Sequence, residues 1–266
     1  YTRIWQIKDD GTGDAPTISA GIDSCTEGDV VNVAPGIYHL SSMINIGTRA
    51  PDSFLVIGGD GHSRPIIDCS LSDFAFVVEG RTSRFLLIGG FEVINASGSA
   101  IFINLSGNSQ IYLESNIIHS NSGYGILINQ SSDVFLSENI VYSNNIGVAC
   151  IESGNIEINR NTIAYHIGPE AYGLYLDSAY LGNRITGNIL CNNQAINGVT
   201  EGNSVFECNN VFNNIVNVDT YIGIDGNFDE DPQFCSSSPD IDGNFFLQSD
   251  SPCLPGNHPD GSECGL

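Results

Sequence analysis

Short apolar runs alternate with polar residues through the middle of the chain. Ile111-Tyr112-Leu113, Val134-Phe135-Leu136 and Ile156-Glu157-Ile158 each set apolar side chains two residues apart. That is the period of a β-strand with one face buried. Each run leads into one phrase, apolar-x-x-Asn-x-apolar-x-x-Asn. It reads Leu113, Asn116, Ile118, Asn121; then Leu136, Asn139, Val141, Asn144; then Ile158, Asn161, Ile163, His166. Ile185, Asn188, Leu190, Asn193 and Phe206, Asn209, Val211, Asn214 complete the set. A further strand follows each phrase, at Ile126/Ile128, Val148/Cys150 and Leu174/Leu176. Cys150 therefore falls on a core-facing position and reads as a buried free thiol.

The leading asparagine recurs at 116, 139, 161, 188 and 209, at spacings of 23, 22, 27 and 21. Such a period with short strands predicts a solenoid. A leucine-rich repeat would show Leu-x-x-Leu-x-Leu and a helical half, and neither is present. A parallel β-helix accounts for the pattern. Each coil supplies two or three strands, and an inward Asn at a corner bonds its own turn and the next coil. Stacked coils then form ladders: Asn116, Asn139, Asn161, Asn188 and Asn209 in one, Asn121, Asn144, Asn193 and Asn214 in another. Earlier coils keep the rhythm without the amide, as in "LVIGGDG" (55–61) and "LLIGGFE" (86–92), where Phe91 takes the leading Asn position. The expectation is an all-β parallel β-helix of nine to ten coils, about 45 Å long at ~4.8 Å per coil. It forms one structural domain: an N-terminal cap and first coil over 1–40, ladder coils over 41–218, and a C-terminal cap over 219–266.

Composition narrows the partners. Of 266 residues, 41% are hydrophobic and only 15% charged, which fits a folded chain. No stretch of eighteen apolar residues suggests a membrane span. Eight Lys+Arg against 31 Asp+Glu leave a net charge of −23. That field repels nucleic acid and draws cations, Ca²⁺ first outside a cell, though acidity also serves solubility alone. The eight cysteines contain no CxxC pair. Their even number, crowded toward the C-terminus, suggests disulfides and an oxidising compartment. The start at Tyr1, without Met, fits a processed secreted protein.

At the N-terminus, "DAPTISAGIDSC" (14–25) predicts a short helix with Asp14 as its cap, Pro16 in its first turn, and Ile18, Ile22 and Cys25 on one face. With the flanking "KDDGTG" and "TEGDVVNVAPGIY", it resembles the N-terminal cap and first coil of the pectate-lyase-like superfamily of right-handed parallel β-helices. The tail "DEDPQFC…FFLQSDSPCLPGN" is similar to the C-terminal segment of secreted bacterial repeat proteins in that superfamily. The resemblance covers nearly the whole chain as fold. It implies an esterase, a polysaccharide lyase, an alginate epimerase or a repeat protein without assigned role. Cys235, Cys253 and Cys264 read as staples of the C-terminal cap, and Cys25–Cys69 as a tie from the helix to an early coil. These are among 105 pairings open to eight cysteines.

Lyases of this shape use an Arg or Lys base with Ca²⁺. Here Arg3, Lys8, Arg49, Arg64, Arg81, Arg84, Arg160 and Arg184 are scattered. The esterase, polygalacturonase and epimerase signatures are not recognisable. One coil swells to 27 residues, with "AYHIGPEAYGLYLD" inserted. His166 replaces a ladder Asn there. His166, Glu170, Tyr165 and Arg160 are the catalytic candidates, and Tyr172, Tyr175, Asp177 and Arg184 the binding candidates. The competing reading is a decorated loop in which His166 makes the bond of an Asn. "DGNFDED" (225–231) sets Asp225, Asn227, Asp229 and Asp231 at alternate positions, a partial calcium loop. Glu230 stands where such a loop wants Gly and Ser236 where it wants the bidentate Glu, so the match is partial; Ca²⁺ is the one cofactor considered. Asn95, Asn104 and Asn129 lie in glycosylation sequons, which this Asn content produces by chance.

Three functions remain. The leading one is a non-catalytic extracellular protein, a surface or fibre component that associates with itself end to end or laterally. The second is a polysaccharide lyase or epimerase, opposed by the charge unless Ca²⁺ bridges an anionic sugar. The third is a carbohydrate-binding module that uses outward Tyr112, Phe135, Tyr142 and Tyr180.

Overall fold

A computed structural model describes the chain except for residues 1, 48–49, 60–62, 81–84, 106–108, 178–181, 198–203, 217–218, 262–263 and 265–266. Arg49, Arg81, Arg84 and Tyr180 thus lie outside the described residues. The described strands form three parallel sheets of nine, seven and eight members. From Val30–Val33 onward every third strand in sequence is a neighbour in space, so the chain winds as a solenoid. The first sheet runs from Ile4–Ile7 to Val205–Glu207, the second from Gly36–His39 to Asn210–Phe212, the third from Ile44–Ile46 to Ile196–Asn197.

Among the described residues seven coils carry all three strands, fewer than the nine or ten expected. Ile4–Ile7 adds a strand to the first sheet alone, and the last turn supplies Val205–Glu207 and Asn210–Phe212 only. The repeat phrase marks rungs of one sheet, and the ends contribute rungs without full coils.

The apolar residues that alternate in sequence point inward and stack in files. Tyr38, Ile67, Val93, Ile118, Val141, Ile163, Leu190 and Val211 form one file on the second sheet. All of them are buried. Burial of this repeated surface is the main favourable contribution to such a fold.

Polar side chains close the corners. Between the first and second sheets, the backbone N–H of each Asn donates to the next coil's Asn Oδ1: Asn116 to Asn139 at 3.0 Å, Asn139 to Asn161 at 2.9 Å, Asn161 to Asn188 at 2.9 Å, Asn188 to Asn209 at 3.0 Å. Asn209 extends it to Asn227 at 3.0 Å. Between the second and third sheets, Asn121 donates to Asn144 at 3.1 Å and Asn193 to Asn214 at 3.0 Å. His166 takes the rung between them. At the third corner a short serine ladder appears that the repeat phrase did not reveal. Leu105 N–H donates to Ser131 Oγ at 2.9 Å, and Ser131 N–H to Ser153 Oγ at 3.1 Å.

Every rung is preceded by a left-handed residue. Ser115, Glu138, Arg160, Gly187 and Cys208 have φ of 53°, 56°, 55°, 64° and 56°. This conformation turns the strand sharply enough for the next side chain to enter the core. For a non-glycine residue it costs roughly 1–2 kcal/mol, repaid by the ladder bond.

The helix is Ile18–Ser24, and its cap is Thr17, whose Oγ1 accepts from Ala20 N–H at 3.1 Å. Asp14 is not the cap. Its carboxylate accepts from Gln6 N–H at 2.8 Å, bracing the first strand. Pro16 consequently precedes the helix rather than lying in its first turn. At the other end Tyr221, on the turn Asp219–Tyr221, meets Phe206 edge-on at 6.0 Å.

Cys208 pairs with Cys264, whereas Cys25 and Cys69 are both free, as are Cys235 and Cys253. The expected Cys25–Cys69 tie is therefore absent. Cys150 is buried and free. The C-terminal segment is more than an end cap. Phe228, Phe245 and Cys253 pack with Tyr142, Ala164, Ile189 and Cys191 in a second apolar cluster. Those partners lie on outward positions of the second sheet, so the tail folds back along its outer surface.

Candidate functional site

The swollen coil disperses its candidate residues. His166 is wholly buried, with its imidazole in the ladder. Tyr165 lies under the tail, 6.3 Å from Phe245 between ring centres, and burial pushes its hydroxyl up to about 12. Arg160 is a corner residue. Arg184 is on the first sheet, paired with Glu207 at 3.0 Å. Glu170, Tyr172, Tyr175 and Asp177 turn the other way, onto the third sheet or the cleft beside it. The four catalytic candidates therefore share no face, whereas three of the four binding candidates do.

The calcium candidate is also divided. Asn227 is buried and its Oδ1 already accepts from Asn209, while its Nδ2 donates to the carbonyls of Phe206 at 2.7 Å and Ile224 at 2.8 Å. It serves as a ladder rung, while Asp229 and Asp231 stay exposed. Among the described residues no three His, Cys, Asp or Glu side chains gather as a metal site.

The first sheet carries an aromatic file on its outer face. Phe85, Tyr112 and Phe135 stack with centroids 5.0 and 4.7 Å apart, the second pair only 11° from parallel. Rings stacked this way use their faces on one another and leave edges to solvent. Tyr142 is not outward to solvent: it is buried between His119 and Phe245.

A titratable group missed in sequence lies on the second sheet. His119 Nε2 meets Glu92 Oε1 at 3.1 Å. That bond, with lesser help from the nearby Arg64, holds the Glu92 carboxyl below its usual range. One coil earlier, bonds from Asn95 and Ser70 hold Asp68 down to about 2, and His39 lies at 2.9 Å. Each carboxylate is already satisfied, so these groups brace successive coils. Their signal in sequence was a polar residue on an outward position, which is common to any solvated strand.

The outer face of the third sheet is different. Strand register sets Asn45, Val77, Phe102, Leu127, Ala149, Tyr175 and Asn197 in one row across seven coils. Beside it runs Glu79, Asn104, Asn129, Ile151 and Asp177, and on the other side Phe74, Ser99, Tyr124, Ile146 and Tyr172. The rings here are splayed: Phe74 and Phe102 tilt by 41° at 6.0 Å, Tyr172 and Tyr175 by 56° at 5.0 Å. A cleft of about 820 Å³ opens at the N-terminal end beside the helix, and one of about 330 Å³ at the far end beside Glu170 and Tyr172. The row spans about 29 Å at ~4.8 Å per coil. Its strands contain no Lys, Arg or His.

Residues 75–230, more than half of the chain, match the family described as right handed beta helix region. The chain belongs to the right-handed β-helix family. Among solved structures, this β-helix is similar to the crystal structure of pectate lyase Pel9A, with a TM-score of 0.56 and 15% identity. The alignment covers 96% of this chain and 92% of that chain, and at this identity it speaks for the fold alone. No curated protein matches the sequence.

Proposed function

We propose that this β-helix is a non-catalytic extracellular protein that binds polysaccharide along the outer face of its third sheet. One observation carries the reading: splayed, half-buried rings share that face with a parallel row of amides and carboxylates, and a cleft lies at either end. Sugars offer apolar C–H faces to rings and hydroxyls to amides, and this combination meets both. The strands of that sheet carry no Lys, Arg or His to serve as the base of a lyase. Glu79 and Asp177, at the two ends of the carboxylate row, stand four coils and about 19 Å apart. Paired glycosidase carboxyls work at roughly 5–9.5 Å. The Cys208–Cys264 bond supports an oxidising, extracellular setting.

Affinity electrophoresis through gels cast with soluble glycans tests the reading, alongside an ultraviolet assay for unsaturated products. Retardation that Phe102→Ala and Tyr175→Ala relieve, without turnover, is the expected result. Unsaturated product, or equal mobility in every gel, would sink it.

A second reading, a laterally associating surface component, is favoured by the closed ends of the stack. The helix covers one end and Tyr221 the other, so pairing through lateral faces fits better than end-to-end growth. Sedimentation velocity across a concentration series tests it: a constant monomer coefficient counts against it.

A further inference from the structure

The cleft of about 820 Å³ lies between the helix and the first strands of the third sheet. Its size is that of a small-ligand site. Its lining joins three kinds of group. Ser42, Asn45 and Asn104 offer hydroxyl and amide, Met43 an apolar patch, and Asp23 and Glu79 two carboxylates. Asn45 Nδ2 donates to Glu79 Oε1 at 3.1 Å, which fixes that carboxylate and leaves its second oxygen to a ligand. Among the described residues no Lys, Arg or His lines the cleft, and neither carboxylate forms an ion pair with any of them.

We infer that this cleft takes a protonated amino sugar, the terminal or internal unit of a cationic glycan. The inference rests on the glycan-binding reading above and names the class of sugar. An anionic sugar would bring like charge to Asp23 and Glu79 inside a field already set by a net charge of −23. A neutral sugar would use the hydroxyls and amides and leave Asp23 and the second oxygen of Glu79 without a charged partner. An amino sugar answers all three groups: its ammonium donates to Glu79 and Asp23, its hydroxyls meet Ser42, Asn45 and Asn104, and its C–H face rests on Met43. A bare divalent ion needs six to eight oxygen ligands, or a tight octahedron with water, and two carboxylates on separate elements supply few of them.

Isothermal titration with three hexasaccharides tests this: glucosamine hexamer, N-acetylglucosamine hexamer and galacturonate hexamer. Each is titrated into the intact chain and into the Asp23→Asn, Glu79→Gln double variant. Both side chains are exposed, and a thermal melt checks that the variant is folded. The glucosamine hexamer is expected to bind about tenfold more tightly than its acetylated form, as for a charge pair plus a hydrogen bond. That preference should shrink in the variant and at high salt. Equal binding of the two hexamers, a preference that survives in the variant, or tighter binding of galacturonate overturns the inference and leaves glycan binding standing. Failure of all three hexamers overturns both. Spermine binding as tightly as the glucosamine hexamer, with the same sensitivity to the variant, also overturns it, because the cleft would then recognise charge without sugar.

Discussion

The backbone N–H of Asn144 donates to Nδ1 of His166 at 3.2 Å, a bond that an asparagine oxygen receives on the neighbouring rungs. The tautomer that accepts there carries its proton on Nε2, 3.1 Å from the carbonyl of Val141, while Nδ1 also lies 3.0 Å from the carbonyl of Asn144. The neutral imidazole thus copies both halves of an asparagine amide. His166 N–H continues the ladder to Asn193 Oδ1 at 3.2 Å.

Burial pushes the His166 pKa down from 6.5 to about 4. In the unfolded chain the group takes up its proton near pH 6.5, while the folded chain resists until about pH 4. Unfolding therefore binds a proton between those values, and stability falls as the pH drops through that window. The loss amounts to something on the order of 3 kcal/mol when complete. His166→Asn should keep the ladder and flatten the decline in melting temperature between pH 6.5 and 4. Parallel declines in variant and parent would refute the assignment.

Arg160 holds φ at 55° on the rung before Asn161. If its role is to turn the corner, Arg160→Gly removes left-handed strain and should leave stability unchanged or raise it by up to about 1 kcal/mol. Calorimetry would then show a melting temperature equal to or a few degrees above the parent. A fall of several degrees would mean that the guanidinium makes contacts of its own.

The ladders were legible because only an inward amide at a sharp corner explains Asn116 through Asn209 at that spacing. What escaped has physical causes. Asn227 continues the ladder only 18 residues after Asn209, off the period, and its acidic neighbours suggest a calcium-loop pattern instead. Ser131 and Ser153 do the work of asparagines, but serine is too common for two instances to mark a ladder. Thr17 took the cap from Asp14 because the carboxylate found Gln6 N–H first. Tyr172, Tyr175 and Asp177 stood out in sequence as part of an insertion, yet their common face follows from the third sheet's register, which no local spacing encodes. The tail's position was least readable, since Phe228, Phe234 and Phe245 sit among Gly, Pro and Asp with no periodicity.

The Cys208–Cys264 bond closes a loop with a sequence separation of 56. A loop of that length corresponds to about 4 kcal/mol of lost chain entropy in the unfolded state. Cys264→Ser should therefore lower the unfolding free energy by up to that amount and make the tail the first site of proteolysis. Cleavage beginning instead in the ladder coils would show that the bond does not anchor the tail.

Phe245 is the pin of the tail against the second sheet. Its ring lies 5.0 Å from Tyr142, 5.1 Å from Phe234 and 6.3 Å from Tyr165. Truncating a buried phenylalanine costs about 3–5 kcal/mol, chiefly through lost contacts and the cavity left behind. The main core file is separate from this cluster, so Phe245→Ala should loosen the tail while the coils stay folded. Cys191 and Cys253 report on it, because both are buried in the cluster and burial raises both thiols above their usual pKa. In the parent, an alkylating reagent should reach exposed Cys235 quickly and half-buried Cys25 more slowly. In Phe245→Ala, Cys191 and Cys253 should join the labelled set while the β-sheet circular dichroism is retained, with mass spectrometry identifying each site. Protection of both thiols in the folded variant would show that the tail is held by other contacts. Loss of the sheet signal together with labelling would show that the tail and the coils unfold as one unit.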